Sequence, residues 1–336
     1  MLKYIFLIIF CLICFIQPVF AGEYTADFLR IGVGARALAM GSAFTGLAND
    51  ASSAYWNPAG GPYGSAISLQ FEHVPIFDGL AQYNSAHAVI GLEHNLSLTL
   101  GWIRLGVDEI PRYGELQGSR YDRLTRSEYR STGKAEGYFQ DNEDALLITM
   151  AHTRYFDLVM GDEFDPKIIP FELSLGMTGK YIQQKLDDKT GTGQGIDAGA
   201  LLRITSYTLI KNEPKSWIGV GAAVRDLTSS SISWNTESNH KDPMQMNIMT
   251  GVAASHYLAR FKSRITLSFD KEFGQYDERH IGAEARFFHT LALRAGYYDD
   301  EMTAGAGISF KWLTLDYAFV PHELGDSHRI SGSLHF

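Results

Sequence analysis

The sequence predicts an all-β fold, a transmembrane antiparallel β-barrel of about 14 strands with an N-terminal hatch of helical and irregular structure inside its lumen. Three observations lead to this prediction. The chain begins with an export signal, most of its length alternates apolar and polar residues, and it ends on an aromatic residue, Phe336.

The first 21 residues have the pattern of a secretory signal peptide. Lys3 precedes an apolar run from Tyr4 to Ile16, and Val19 and Ala21 occupy the small positions that a signal peptidase prefers. The run is shorter than the roughly 20 residues of a membrane helix. We therefore expect cleavage near Ala21 and exclude residues 1–21 from the fold.

Composition excludes several function classes. Both cysteines, Cys11 and Cys14, lie in the predicted signal peptide, so no thiol chemistry is expected in the mature chain. The formal net charge of −9 disfavours nucleic acid as a partner. No P-loop, HExxH or GxSxG motif occurs, and the 11 histidines show no ligand spacing. We expect neither an enzyme nor a cofactor, and no metal site, although an isolated one stays open.

Residues 22–64 lack the alternation and are rich in Gly, Ala and Ser, which permits tight turns and close backbone approach. Asp50 is placed to cap a short helix that ends at Trp56, because Pro58 forces Asn57 out of the helical region. This segment predicts a hatch that fits inside the barrel.

The run from Gly32 to Ala37 also matches the G-x-G-x-x-A pattern of dinucleotide-binding folds. That interpretation is disfavoured, because no βαβ repeat follows and no carboxylate stands about 20 residues further on to hold a ribose.

From Ser65 to Phe336 the apolar residues recur with a period of two, which is typical of strands with one apolar and one polar face. The alternation predicts a barrel over residues 65–336 with strands of about 9–11 residues. The predicted strands begin near positions 65, 81, 95, 144, 170, 194, 216, 243, 261, 278, 289, 302, 311 and 327.

Charged residues on the polar faces of these strands are expected to point into the lumen and to pair there. They are Arg264, Asp270, Glu284, Arg286, Arg294, Asp316 and Arg329. The interior is therefore expected to be too polar for an open apolar pore. An arginine at the outward-facing Leu98 or Leu267 should impair assembly. The lumen-facing Thr99 and Ser268 should tolerate one better.

Three polar stretches are expected to be extracellular loops: Gly106–Asp144, Asp187–Gly195 and Thr228–Asp242.

The last strand carries an outward stripe of Ile330, Leu334 and Phe336. These three residues are the predicted signal for the barrel-assembly machinery. Their strand must pair with the first one, near Ser65, because lipid tolerates no open sheet edge.

Motifs at both ends of the mature chain resemble the PorV/PorQ family of the FadL-like outer-membrane barrels. They are Arg30–Gly41, Asn49–Ser52, Tyr55–Gly60, Leu293–Tyr297, Leu315–Phe319, Leu324–Gly325 and His328–Ser331. The resemblance implies a barrel of fourteen strands that is plugged by a hatch. The expected hatch motif consists of Gly32, Gly34, Arg36, Gly41, Asp50, Asn57, Pro58 and Ala59.

Two functions follow from this resemblance. FadL-like proteins pass hydrophobic molecules through the outer membrane of diderm bacteria, which would make this chain a transporter with apolar small molecules as ligands. PorV-like proteins hold exported cargo in type IX secretion, which would make residues 106–144 a docking surface. For both functions, outer-membrane lipid is a further expected partner, in addition to the solute or the cargo protein.

Overall fold

A computed structural model describes residues 25–130, 133–160, 167–206, 216–228, 230–274, 277–298 and 300–336, so the predicted signal peptide lies outside the described residues. Fourteen strands form a closed antiparallel barrel, which confirms the predicted number. The wall strands are β1 (Ile67–Ile76), β2 (Ala81–Gly91), β3 (Leu96–Arg112), β4 (Gly137–Met160), β5 (Lys167–Leu186), β6 (Lys189–Ser206), β7 (Ser216–Arg225), β10 (Asn247–Leu258), β11 (Ser263–Phe273), β12 (Arg279–Phe287), β13 (Leu291–Tyr298), β14 (Glu301–Phe310), β15 (Leu313–Val320) and β16 (Ser327–His335). Two short strands, β8 (Ser231–Trp234) and β9 (Lys241–Pro243), form a hairpin in the connection between β7 and β10.

The first and last wall strands close the barrel, as the sequence predicts. Strand β1 pairs with β16 in a register that places Ser68 opposite His335. Beyond the end of β16, the Phe336 amide donates to the Ile67 carbonyl over 2.8 Å, and the Ile67 amide donates back over 3.3 Å. The ladder therefore continues to the last residue and leaves no open edge.

The barrel is apolar outside, and its strands alternate as predicted. On β11, Leu267 and Phe269 are exposed on the outer face, whereas Ser268 and Asp270 are buried on the inner face. The predicted assembly stripe also faces outward, with Ile330 60% exposed. A closed barrel with this apolar outer surface is a transmembrane barrel. Within the described residues, no helix is long and apolar enough to cross a membrane.

We call the end of the barrel that carries the β1–β2, β3–β4 and β11–β12 connections the rim, and the opposite end, where Phe336 lies, the base. At the rim, the prediction of a loop over Gly106–Asp144 is wrong. Strands β3 and β4 stay paired to Arg112 and Gly137, so only residues 113–136 form the connection. The Asp187–Gly195 loop shrinks likewise to a turn of two residues between β5 and β6. The expected Thr228–Asp242 loop contains β8 and part of β9.

Four short helices and the turns between them fill the lumen. They are the 3-10 helix Asp27–Arg30, the α-helices Ala35–Leu38 and Ser53–Trp56, and the 3-10 helix Pro58–Tyr63. Arg30 pairs with Glu278 at the rim, and the Tyr63 hydroxyl donates to the Glu172 carbonyl near the base over 3.0 Å. We call residues 25–64 the hatch. It runs the length of the lumen from rim to base.

Candidate functional site: the hatch and the lumen wall

The hatch turns sharply at Asn57, which is fully buried. The proline that follows holds Asn57 in an extended conformation, with φ −154° and ψ 112°, and so ends the helix at Trp56. The side-chain nitrogen of Asn57, Nδ2, donates to the backbone carbonyls of Thr45 and Ala200, over 2.9 and 3.2 Å. One side chain thus joins two segments of the hatch to β6.

Pro58 and Ala59 form the first turn of the 3-10 helix that follows. The Ala59 amide donates to the Asn57 side-chain oxygen over 3.0 Å, and the Ala59 carbonyl accepts from the Ser174 hydroxyl of β5 over 2.7 Å. Asn57, Pro58 and Ala59 therefore make one unit that is bonded to the wall on two strands.

Asp50 does not cap the helix in the expected way. Its carboxylate accepts from the amide and the hydroxyl of Ser52, over 3.0 and 2.6 Å, before the helix begins at Ser53. The difference arises because the first helical turn starts later than the sequence suggests. Asp50 also lies 3.3 Å from Arg36, so it holds two parts of the hatch together.

The glycines of the hatch motif occupy backbone positions that other residues would strain. Gly32, Gly34 and Gly41 all have φ between +59° and +82°. The Gly34 amide donates to Glu72 of β1 over 2.8 Å, and the Gly41 amide donates to Thr303 of β14 over 3.0 Å. These turns orient the backbone N–H groups of Gly34 and Gly41 towards the barrel wall.

Arg36 is the main charged anchor of the hatch. Its Nε lies 3.1 Å from Oε2 of Glu284 on β12, and its Nη1 donates to the side-chain oxygen of Asn49 over 2.7 Å. Burial opposes the charge of Arg36, but Glu284 and Asp50 more than offset this and raise its pKa above the ordinary value.

The ion pairs continue along the wall, which confirms the expected pairing for Glu284, Arg286, Arg294 and Asp316. Arg294 of β13, whose side chain is fully buried, donates to Glu284 over 2.8 Å and to Asp316 of β15 over 2.7 Å. Arg286 adds a third cation, 3.4 Å from Glu284. With Asp50 of the hatch the cluster holds three cations and three anions, so its buried charges are compensated.

Two further carboxylates of the wall bind hatch backbone. Asp270 accepts from the Thr45 amide over 2.5 Å. Glu72 accepts from Gly34 and also pairs with Arg329, which in turn donates to the Gly32 carbonyl over 3.3 Å. Sequence reasoning placed Asp270 and Arg329 in the lumen but missed Glu72, although its position on an alternating strand could have revealed it.

Sequence reasoning also missed a band of glycines on the inner wall. A methyl group at any of them would lie only 2.0–2.7 Å from a hatch atom. They are Gly176 on β5, Gly199 on β6, Gly221 on β7, Gly251 on β10, Gly282 on β12 and Gly296 on β13. The hatch therefore packs closely against the wall backbone on these six of the fourteen wall strands.

The inner wall is not polar all round. Near the rim, many inward side chains of β1 to β5 are apolar and form one buried cluster with hatch residues Phe28 and Trp56. Leu29 and Ile31 of the hatch pack against this cluster. The wall contributes Val74, Ile76, Ala81, Tyr83, Ile103, Ala145, Leu147 and Ile182, with Leu105 and Val107 packed against them. The expectation of a uniformly polar interior is thus wrong for this sector, which we call the apolar face.

A cavity of about 80 Å³ lies between the start of the hatch and the wall. Lys180 lines this cavity and pairs with two other lining residues, Asp197 and Asp226, each over 2.8 Å. Burial raises the pKa of the Asp226 carboxyl, against the opposing effect of Lys180. The cavity is far smaller than the roughly 300–1,000 Å³ of small-molecule sites, so in this conformation it is too small to hold a small-molecule ligand.

Comparisons with known proteins give likenesses of fold only. No protein-family model matches the sequence, and a comparison with curated proteins finds no match. Among solved structures, the chain is similar to the Pseudomonas putida toluene transporter TodX, with 12% identity, coverage of 91% of this chain and 98% of that chain, and a TM-score of 0.41. A TodX deletion mutant described as a monoaromatic hydrocarbon channel gives 13% identity over 91% and 99% of the two chains, with a TM-score of 0.42. A Pseudomonas aeruginosa FadL homologue gives 9% identity over 95% and 99%, with a TM-score of 0.29. At such values no residue role passes from these proteins to this chain.

Proposed function

We propose that the chain is a hatch-gated outer-membrane transporter for hydrophobic solutes. The observation that carries this proposal is the apolar face of β1 to β5, against which the start of the hatch packs. A solute that moves between the hatch and this face stays in contact with apolar side chains, so it avoids the cost of exposing apolar surface to water.

The two sides of the lumen suit different tasks. On β11 to β16 the hatch is held by charged and polar anchors such as Glu284, Asp270 and Arg329. On the apolar face near the rim it is held mainly by non-directional packing. We therefore expect residues 25–31 to move away from β1 to β5 while the rest of the hatch stays anchored.

Uptake in a deletion strain tests this function, with oleate and toluene as probes. The wild-type chain should restore uptake of at least one probe. Leu105→Asn, which places an amide on the apolar face, should lower it, whereas the outward-facing Arg104→Gln at the same height should not. Equal uptake with and without the gene would contradict the proposal.

One observation favours the PorV-like alternative, a platform for exported proteins. The rim connection exposes four large apolar or aromatic side chains, Tyr113, Leu116, Tyr121 and Leu124, by 55–72%. A capping box between Ser119 and Asp122 stabilises the helix Arg120–Thr125 that presents two of them.

Replacement of residues 114–135 by a Gly-Ser linker separates the two functions. If the chain is a platform, the linker variant should lose surface-attached proteins and keep solute uptake. If the chain is only a transporter, cells with the linker variant should keep their surface proteome. An unchanged surface proteome therefore rules the platform out.

A further inference from the structure

Three potential metal ligands meet at the rim, where the hairpin of β11 and β12 folds back on itself. Glu272 lies on β11, His280 on β12 and Glu278 in the connection between them. One ligand atom from each residue lies within 4.8 Å of the other two. Glu272 and His280 are buried, with 6% and 3% exposure, and Glu278 is partly buried.

The hatch fixes which nitrogen of His280 carries its proton. Nδ1 lies 3.0 Å from the Gly41 carbonyl oxygen, which can only accept a hydrogen bond, so Nδ1 must be the donor. In a neutral imidazole, Nε2 then presents its lone pair. The ring is further held by stacking on Tyr298, with centroids 4.8 Å apart.

Nε2 of His280 points at a carboxylate without bonding to it. It makes no hydrogen bond within the described residues, and it lies 3.6 Å from Oε2 of Glu272, beyond hydrogen-bond length. A lone pair that faces a carboxylate in a buried site is unfavourable unless a cation lies between them. That cation is either a proton on Nε2 or a metal ion.

Both carboxylates are oriented by partners on their outer sides. The Asn247 amide donates to Oε1 of Glu272, which leaves Oε2 towards His280. Arg30 of the hatch donates to Oε1 of Glu278 over 2.8 Å. Metal sites commonly have such an outer layer, in which a histidine ligand donates its other N–H to a carbonyl and the carboxylates are hydrogen-bonded in turn.

We propose that Nε2 of His280 and the carboxylates of Glu272 and Glu278 bind a divalent transition metal, with Zn²⁺ as the best match. The imidazole nitrogen favours Zn²⁺ over Mg²⁺ or Ca²⁺, which prefer oxygen ligands. Zinc bonds of about 2.0–2.2 Å place tetrahedral ligand atoms about 3.4 Å apart. Glu272 already lies 3.6 Å from Nε2, and Glu278 must close in by at most about 1.4 Å. Three protein ligands leave the fourth position to water.

The position of the site implies a role for the metal. His280 holds Gly41 and Glu278 holds Arg30, so two of the ligands are also contacts of the hatch. A bound metal would fix these contacts and tie the rim half of the hatch to β12. This inference concerns a metal site and does not depend on what the barrel transports.

Zinc titration of the mature chain, residues 22–336, refolded in detergent and stripped of metals with a chelator, tests the site. We expect one zinc per chain by elemental analysis after gel filtration. His280→Asn keeps a donor near the Nδ1 position but lacks Nε2, and Glu272→Gln keeps the shape of the side chain. Each should weaken zinc binding by at least about 10-fold.

Two further variants make the result interpretable. His240→Asn changes an exposed histidine that lies 2.8 Å from Asp242, and it should bind zinc like the wild type. Glu278→Gln lies outside the strands and serves if a strand variant fails to fold, as judged by gel mobility before and after heating. Undiminished stoichiometric binding in His280→Asn or Glu278→Gln, or no stoichiometric zinc in the wild type, would overturn the proposal in favour of a protonated His280.

Discussion

Nε of Arg36 lies 3.1 Å from Oε2 of Glu284, which joins the hatch to the barrel wall between residues 248 positions apart in the sequence. Glu284 also binds Arg294 and Arg286, so its single carboxylate compensates cations from the hatch and from two strands. The hatch is thus anchored to the wall by a buried ion-pair network, without pairing to the wall as a strand.

Removal of the Glu284 charge tests that network. Glu284→Gln leaves Arg36 and Arg294 short of a buried counter-charge and should lower the free energy of unfolding by about 3–5 kcal/mol. Arg104→Gln breaks a half-exposed pair with Asp144 and should cost less than about 1 kcal/mol. Urea unfolding in detergent micelles measures both; equal losses would show that the buried network is not the stronger anchor.

Gly176 and Gly179 lie on the same strand and give a matched test of the glycine band. A methyl group at Gly176 would lie 2.2 Å from the Pro58 carbonyl oxygen, whereas one at Gly179 would meet nothing within 4 Å. Gly176→Ala should destabilise the hatch by about 1–3 kcal/mol and speed its proteolysis, while Gly179→Ala should change stability by less than about 0.5 kcal/mol. Hatch proteolysis at the same rate in both variants would argue against backbone packing.

Replacement of Asn57 and of Asn49 by aspartate tests whether each side chain donates or accepts its hydrogen bonds. Asn57→Asp replaces a donor to the Thr45 and Ala200 carbonyls by an acceptor in a fully buried site, so we expect a loss of at least about 3 kcal/mol. Asn49→Asp keeps the oxygen that accepts from Arg36 and should cost less than about 1 kcal/mol. The two unfolding curves are compared in the same detergent, and a reversed order would invalidate the assigned bonds.

An arginine on the lipid-facing side tests the membrane register. Leu267 is 56% exposed on the outer face, so Leu267→Arg should cost roughly 2–4 kcal/mol near the bilayer midplane, whereas Leu267→Phe should assemble normally. Ser268 is only 4% exposed in a lumen that the hatch fills, so we now expect an arginine there to be costly as well. The folding yield in lipid vesicles measures this cost. Efficient assembly of Leu267→Arg would contradict the assignment of Leu267 to the lipid-facing side.

The sequence predicts the barrel well because lipid enforces alternation wherever a strand crosses it. Where strands extend beyond that region both faces meet water, and the pattern fades. This explains why β4 begins at Gly137 rather than near 144, and β6 at Lys189 rather than near 194. Lumen charges such as Arg294 and Asp316 were recognisable from their positions on the polar faces.

The candidate site was only partly predictable, because it depends on pairings between distant residues. The glycine band carries no polar or apolar signal, so the contact of Gly296 with Gly41 appears only in the folded chain. The cluster of Glu272, Glu278 and His280 follows from a hairpin that folds back on itself, not from a motif. The apolar face is likewise assembled from one to three side chains on each of five strands.

A reversible lock on the hatch tests the central claim most directly. The mature chain is expected to lack cysteine, so Phe28→Cys and Leu105→Cys form the only pair; Phe28 lies in the segment that is expected to move, and Leu105 lies on the apolar face against which that segment packs. Uptake of toluene and oleate is then measured in cells with the double variant, oxidised and after reduction, beside each single variant. A hatch-gated transporter loses uptake when the disulfide forms and regains it on reduction. Full uptake through the locked barrel would contradict the account.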